Sequence, residues 1–217
     1  GRYAKNRVIA SPVGYQRAGQ LDRAEYGTRS VTADPDADPA TGVDTVFTGH
    51  ASAQVLFDYG DRCLANCGDH TDKTWPDTPW DLDCASGTCT FHSPTFWSTR
   101  RLKAVTTTVW DASTAKFRNV EQWTLTQGFP DPGDSTRAGL WLERIGHTGL
   151  VGTTTSVPDV VFTGKPLPNR VDAVDTAPAM NWQRLSSVAT ENGGLVTVRN
   201  AEPDRRGATP EPEAPDA

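Results

Sequence analysis

The stretch Arg101-Leu-Lys-Ala-Val-Thr-Thr-Thr-Val-Trp110, then Asp111-Ala-Ser-Thr-Ala-Lys116, then Phe117-Arg-Asn-Val-Glu-Gln-Trp-Thr-Leu-Thr126 decides the fold class. Its first and last parts are crowded with β-branched and aromatic residues, which lose little freedom in a pleated strand and pack well there. The middle part is short, polar and rich in turn formers, so the two runs read as a β-hairpin. The same grammar extends outward. Ala53, Val55, Phe57 and Tyr59 alternate with Gln54, Leu56 and Asp58, which predicts a period-two strand leading into the cysteines. Leu140 to Ile145 and Val160 to Phe162 read as short strands. Arg184 to Thr190 and Leu195 to Arg199 read as a second hairpin around Glu191-Asn-Gly-Gly194, with Asn192 and Gly193 expected to supply positive φ. Gly128 to Thr136 is dense in turn residues, and Pro130 and Pro132 exclude a central strand there, so it is expected to be a surface loop. The chain is expected to be all-β, with antiparallel hairpins in a large twisted sheet, a sandwich or a shell segment.

A tetrad, Leu-x-x-apolar, recurs in these strands as Leu21-Asp-Arg-Ala24, Leu102-Lys-Ala-Val105, Leu142-Glu-Arg-Ile145 and Leu185-Ser-Ser-Val188, at spacings of 81, 40 and 43 residues. That hints at a unit of about 40 residues used several times, as in stacked hairpin arrays. The rival reading is that such a tetrad is common in any strand-rich chain. The organisation expected is a lead-in over 1–19, a β-rich scaffold over 20–200 with a cysteine loop at 60–92, and a disordered, acidic, proline-rich tail over 201–217. The tail, Ala201 to Ala217, has no aromatic or β-branched apolar residue with which to offset the entropy of ordering.

With 217 residues the chain is long enough for a real core, and its 21 basic against 27 acidic residues leave a net charge of −6. The basic residues are scattered, so nucleic acid is not an expected partner. No apolar run reaches the roughly 20 residues that span a bilayer. Gly1-Arg-Tyr-Ala-Lys-Asn6 reads as neither a signal peptide nor a translation start, so the chain is expected to be a piece of a longer exported protein.

Cys63, Cys67, Cys84 and Cys89 fall within 27 residues, and the chain has no other cysteine. An even, clustered count in a loop rich in Asp and Trp points to two disulfides made in an oxidising compartment, with three pairings open. Zinc is the rival, because His70 follows Cys67, and His92 follows Cys89, at the same offset. Asp34, Asp36 and Asp38 alternate like the first ligands of a calcium loop, but Pro39 stands where glycine is needed and Thr45 where the bidentate Glu belongs, so a solvated loop is expected. Trp75 and Trp80 of Trp75-Pro-Asp-Thr-Pro-Trp80 are candidates for stacking on sugar rings, which defines an alternative function as a carbohydrate-binding β-sandwich at a cell surface, with a surface glycan as partner. A second alternative, a glycoside hydrolase, rests on Asp77, Asp81 and Asp83. There is no Gly-x-Ser-x-Gly elbow, and His50, His70, His92 and His147 sit in unrelated contexts, with His147 expected in a turn. Neither catalysis nor a cofactor is expected.

Several phrases carry a family resemblance: Leu21-Asp-Arg-Ala-Glu-Tyr-Gly27, Val55-Leu-Phe-Asp-Tyr-Gly-Asp-Arg-Cys63, Trp75-Pro-Asp-Thr-Pro-Trp-Asp-Leu-Asp-Cys84, Ser93-Pro-Thr-Phe-Trp-Ser-Thr-Arg-Arg-Leu102, Val120-Glu-Gln-Trp-Thr-Leu125, Phe129-Pro-Asp-Pro-Gly-Asp134 and Gly139-Leu-Trp-Leu142. From about residue 20 to about residue 199 the chain resembles the region ahead of the tyrosine-aspartate (YD) repeats of large secreted actinobacterial Rhs-repeat proteins. The resemblance implies a hairpin-wound shell, similar in plan to the B and C components of insecticidal toxin complexes, that encloses a C-terminal toxin. The implied partners are the rest of the same polypeptide and its toxin cargo, and the implied location is secreted or at the cell surface. Val157-Pro-Asp-Val-Val-Phe162 looks like the proline-initiated strand that precedes such shells. Where family members run on into repeats, this chain passes from Val198-Arg-Asn-Ala-Glu-Pro203 into its acidic tail. No self-cleavage motif maps onto any residue, so the resemblance assigns no catalytic position.

Overall fold

The computed structural model describes residues 1–27, 50–84, 88–170 and 178–200. The aspartates Asp34, Asp36 and Asp38 and the tail at 201–217 lie outside the described residues. Two short strands, β1 (Arg2–Tyr3) and β2 (Val13–Gly14), pair with each other. The other eight are β3 (Arg23–Tyr26), β4 (Ala53–Asp61), β5 (Arg100–Asp111), β6 (Lys116–Gly128), β7 (Trp141–Gly149), β8 (Thr155–Leu167), β9 (Trp182–Ala189) and β10 (Leu195–Thr197). They form one antiparallel sheet in the order β10-β9-β8-β7-β6-β5-β4-β3, so every strand lies beside its neighbours in sequence. The all-β expectation holds, and the described strands form one eight-stranded antiparallel sheet beside the two-stranded β1–β2 pair.

The recurring tetrad has a structural cause. Leu102 pairs with Tyr59 while Ala104 pairs with Asp58, which leaves Lys103 as an extra residue. Leu142 pairs with Gln127 and Arg144 with Thr126, leaving Glu143; Leu185 pairs with Gly164 and Ser187 with Thr163, leaving Ser186. Each is a β-bulge placed directly after the leucine. In an unbroken strand residues three apart point to opposite faces. One extra residue returns them to the same face. The tetrad is therefore the sequence trace of a bulge, and it falls on alternate strands β5, β7 and β9. The intervening strands carry bulges of their own. Val120 is extra in β6, and Pro158 and Asp159 together oppose Gly146 in β8, where a proline without an N–H costs the ladder little. The fourth tetrad is incomplete, because Leu21 precedes β3 and no register shift falls within that ladder.

Alternation from these registers gathers Val55, Phe57 and Tyr59, Leu102 and Val105, Trp123 and Leu125, Leu142 and Ile145, Val160 and Phe162, and Leu185 and Val188 on one face. All of them are half-buried. The other face is polar and threonine-rich, and there Gln122 Nε2 donates to Thr106 Oγ1 at 3.1 Å. His147 corrects its expected place in a turn: it lies inside β7, its ring stacked on Trp123 with centroids 4.7 Å apart. In the last hairpin Gly193 has φ +84°, whereas Asn192 acts through its side chain, whose Oδ1 accepts from Thr190 Oγ1 at 2.5 Å.

Candidate functional site

The cysteine loop leaves β4 at Asp61 and returns at Arg100, where Arg100 Nη1 lies 2.6 Å from Asp61 Oδ1. It holds most of the deeply buried apolar residues: Cys63, Trp75, Cys84 and Cys89, with Ala4 of the N-terminal segment. Having almost no regular structure, it is held by individual cross-links. Cys63 is bonded to Cys67. Arg62 grips Asp77 through both guanidinium nitrogens, Nε to Oδ1 at 2.9 Å and Nη2 to Oδ2 at 2.6 Å, while its backbone N–H donates to Thr99 O at 2.7 Å. The Asp77 side chain is only 7% exposed, and its Oδ2 also accepts the Leu140 N–H at 3.0 Å. One carboxylate thus ties the loop to the β4 end and to the segment entering β7. A two-pronged charge-assisted contact of this kind is among the stronger polar links.

An aromatic column fills the loop. The rings of His70 and Trp80 stack in parallel with centroids 3.6 Å apart, Trp75 and Trp97 meet Trp80 at steep angles, and the Arg17 guanidinium lies 3.6 Å from the Trp97 ring centroid. Arg17 also bonds Asp83 at 2.8 Å. Beside the column lies an open cleft of about 420 Å³, lined by His70, Thr71, Asp72, Thr78, Trp80, Asp81 and Asp83.

This geometry corrects several sequence expectations. Trp75 is 4% exposed and its Nε1 donates to Cys67 O at 3.2 Å, so it presents no face to a sugar; it packs the disulfide loop. Trp80 stays at the cleft, but His70 covers one face of its ring. Of the three aspartates proposed for glycoside cleavage, Asp77 is committed to Arg62 and Asp83 to Arg17. A zinc site on these cysteines does not assemble: Cys63 and Cys67 are joined to each other, His70 is stacked on Trp80, and His92 is exposed. Among the described residues no group of three or more His, Cys, Asp or Glu side chains is placed to hold a metal ion.

Two disulfides are expected from the cysteine count, and the structure has one. Cys84 and Cys89 are both free, buried thiols. A hydrogen bond with the Cys89 thiol, and then burial, raise the Cys84 thiol above its ordinary pKa. Sequence reasoning missed Arg62 and Asp134, and it named Asp77 for glycoside cleavage rather than as the anchor of the loop. Asp134 Oδ1 accepts from the Thr136 hydroxyl and N–H, and its Oδ2 accepts the Asn181 N–H at 2.7 Å, joining the β6–β7 loop to the approach of β9. These bonds, the one from the Thr136 hydroxyl foremost, hold its pKa below the usual carboxylate range. The only sequence signal for these residues was the density of aspartate in the two loops.

Comparison with family models, with curated proteins and with solved structures finds no match to this chain. No helix among the described residues is long and apolar enough to cross a membrane.

Proposed function

We propose that the chain is a non-catalytic β-scaffold segment of an exported Rhs/YD-repeat protein, one slice of a hairpin-wound wall that encloses or displays a C-terminal toxin. The observation that carries this reading is the bulge repeated after the leucine of β5, β7 and β9. A bulge bends its strand and strengthens the local twist. Repeated after the leucines of β5, β7 and β9, which stand 40 and 43 residues apart, it is the device by which such a wall would curve. The half-buried apolar face that those leucines share is the surface such a wall would turn toward neighbouring turns or contents. The disulfide accords with an exported protein. On this reading the partners are the remainder of the same polypeptide and its cargo.

The test is the native product. Antibodies raised against this chain should detect in culture supernatant a polypeptide several times longer than 217 residues. Electron microscopy of that polypeptide should trace the β3–β10 sheet as part of a closed wall. A secreted product of this chain's length alone, with both sheet edges closed on themselves, would overturn the reading.

A further inference from the structure

We infer that Cys84 and Cys89 are an oxidisable pair that closes as the second disulfide of this chain and clamps the N-terminal β1–β2 hairpin onto the cysteine loop. The inference is independent of the scaffold reading. The two residues are 8% and 1% exposed and stand five positions apart in the chain. Cys84 Sγ lies 3.8 Å from the carbonyl of Thr88, the residue before Cys89, and Cys89 Sγ donates to Arg2 O at 3.6 Å. Since Cys63 already bonds Cys67, only one of the three conceivable pairings remains. The backbone around Cys89 is the anchor for the N-terminal segment: Cys89 N–H donates to Ile9 O at 3.0 Å, and Ala4 N–H donates to Phe91 O at 2.7 Å, with Ala4 fully buried. Closing the sulfur bridge fixes the start of the 89–91 segment on which residues 2–9 are laid.

The chemistry needs a thiol oxidant that itself carries a disulfide, such as oxidised glutathione. Cys84, the more exposed of the two, loses its proton to solvent and attacks one sulfur of the oxidant's disulfide, expelling the other as a thiolate. Cys89, deprotonated in turn, attacks Cys84 Sγ in the mixed disulfide and expels the second oxidant thiolate. Two thiols and one oxidant disulfide become one protein disulfide and two oxidant thiols, with two electrons transferred. The hydrogen bond with Cys89, and then burial, raise the Cys84 pKa and so disfavour its thiolate in the folded chain.

Trypsin separates the two pairs, since residues 63–73 form one peptide and residues 74–100 the next. The full chain, folded in a glutathione redox buffer, is denatured, treated with N-ethylmaleimide without reduction, digested and weighed. The expected result is no adduct, with each peptide two hydrogens lighter than its reduced form and the two peptides unlinked. Adducts on Cys84 and Cys89, or a linked pair of peptides, would overturn the pairing. The clamp is tested by hydrogen exchange on the oxidised chain and on C84S/C89S. The Ala4 amide should exchange about tenfold faster in the variant while Val105 stays unchanged. Equal Ala4 exchange would overturn the clamp while leaving the pairing to the mass measurement.

Discussion

The eight-stranded sheet and the cysteine loop are built on opposite plans. In the sheet each strand bonds to its sequence neighbour, the hairpin unit repeats, and the apolar side chains of the leucine-bearing face are half-buried. In the loop hardly any backbone ladder exists, no contact repeats, and Cys63, Trp75 and Cys89 are among the most buried residues of the chain. The contrast teaches where each region's stability resides. The sheet spreads it over many equivalent bonds, so a local loss is shared. The loop concentrates it in a few links, so a single loss is large.

The largest effect should follow from breaking the Arg62–Asp77 pair. Asp77→Ala removes a buried carboxylate that three donors share and leaves the guanidinium and the Leu140 N–H without it. Removing one partner of a buried pair costs roughly 3–5 kcal/mol, and the partial exposure of Arg62 puts this pair at about 3 kcal/mol. Urea titration should register the loss, and hydrogen exchange should speed between residues 62 and 84 while β5–β9 amides keep their protection. Uniform loss of protection across the sheet would show that the two regions unfold as one.

Deleting Lys103 removes the bulge of β5 and turns Leu102 to the opposite face, or shifts the β4–β5 register. The expected cost is about 2 kcal/mol, comparable to the burial of one leucine side chain. A thermal midpoint equal to that of the parent would mean that the bulge is dispensable.

Replacing both Cys63 and Cys67 by Ser opens a short loop, for which chain entropy sets a cost of about 2 kcal/mol. The denaturant midpoint should fall, with hydrogen exchange at the Trp75 and Thr78 amides reporting the loop and far-UV dichroism reporting the sheet. Coincident curves from the two probes would contradict an independently held loop.

The smallest effect concerns acid. The pKa of Asp134 is depressed in the folded chain, so the folded state binds fewer protons at this group than the unfolded chain does around pH 4. Its contribution is present above the unfolded value and is lost as pH falls through the folded one. Asp134→Asn should therefore destabilise the protein at pH 6, and the gap from wild type should narrow as pH is lowered below about 4. A gap that does not change with pH would remove Asp134 from the acid response.

The strand over 53–59, the hairpin over 101–126 and the last hairpin were legible in the sequence by itself, because side-chain alternation and turn chemistry are local properties of a chain. The cysteine cluster marked the second region as surely. Only the tertiary structure decided that the tetrad is a bulge, since a bulge is a count of residues against a partner strand. The same holds for the pairing of Cys63 with Cys67, the burial of Trp75, the place of His147 within β7 and the grip of Arg62 on Asp77. In each case the deciding neighbour lies in another turn or strand, and no local pattern of residues records the loop path that brings it near.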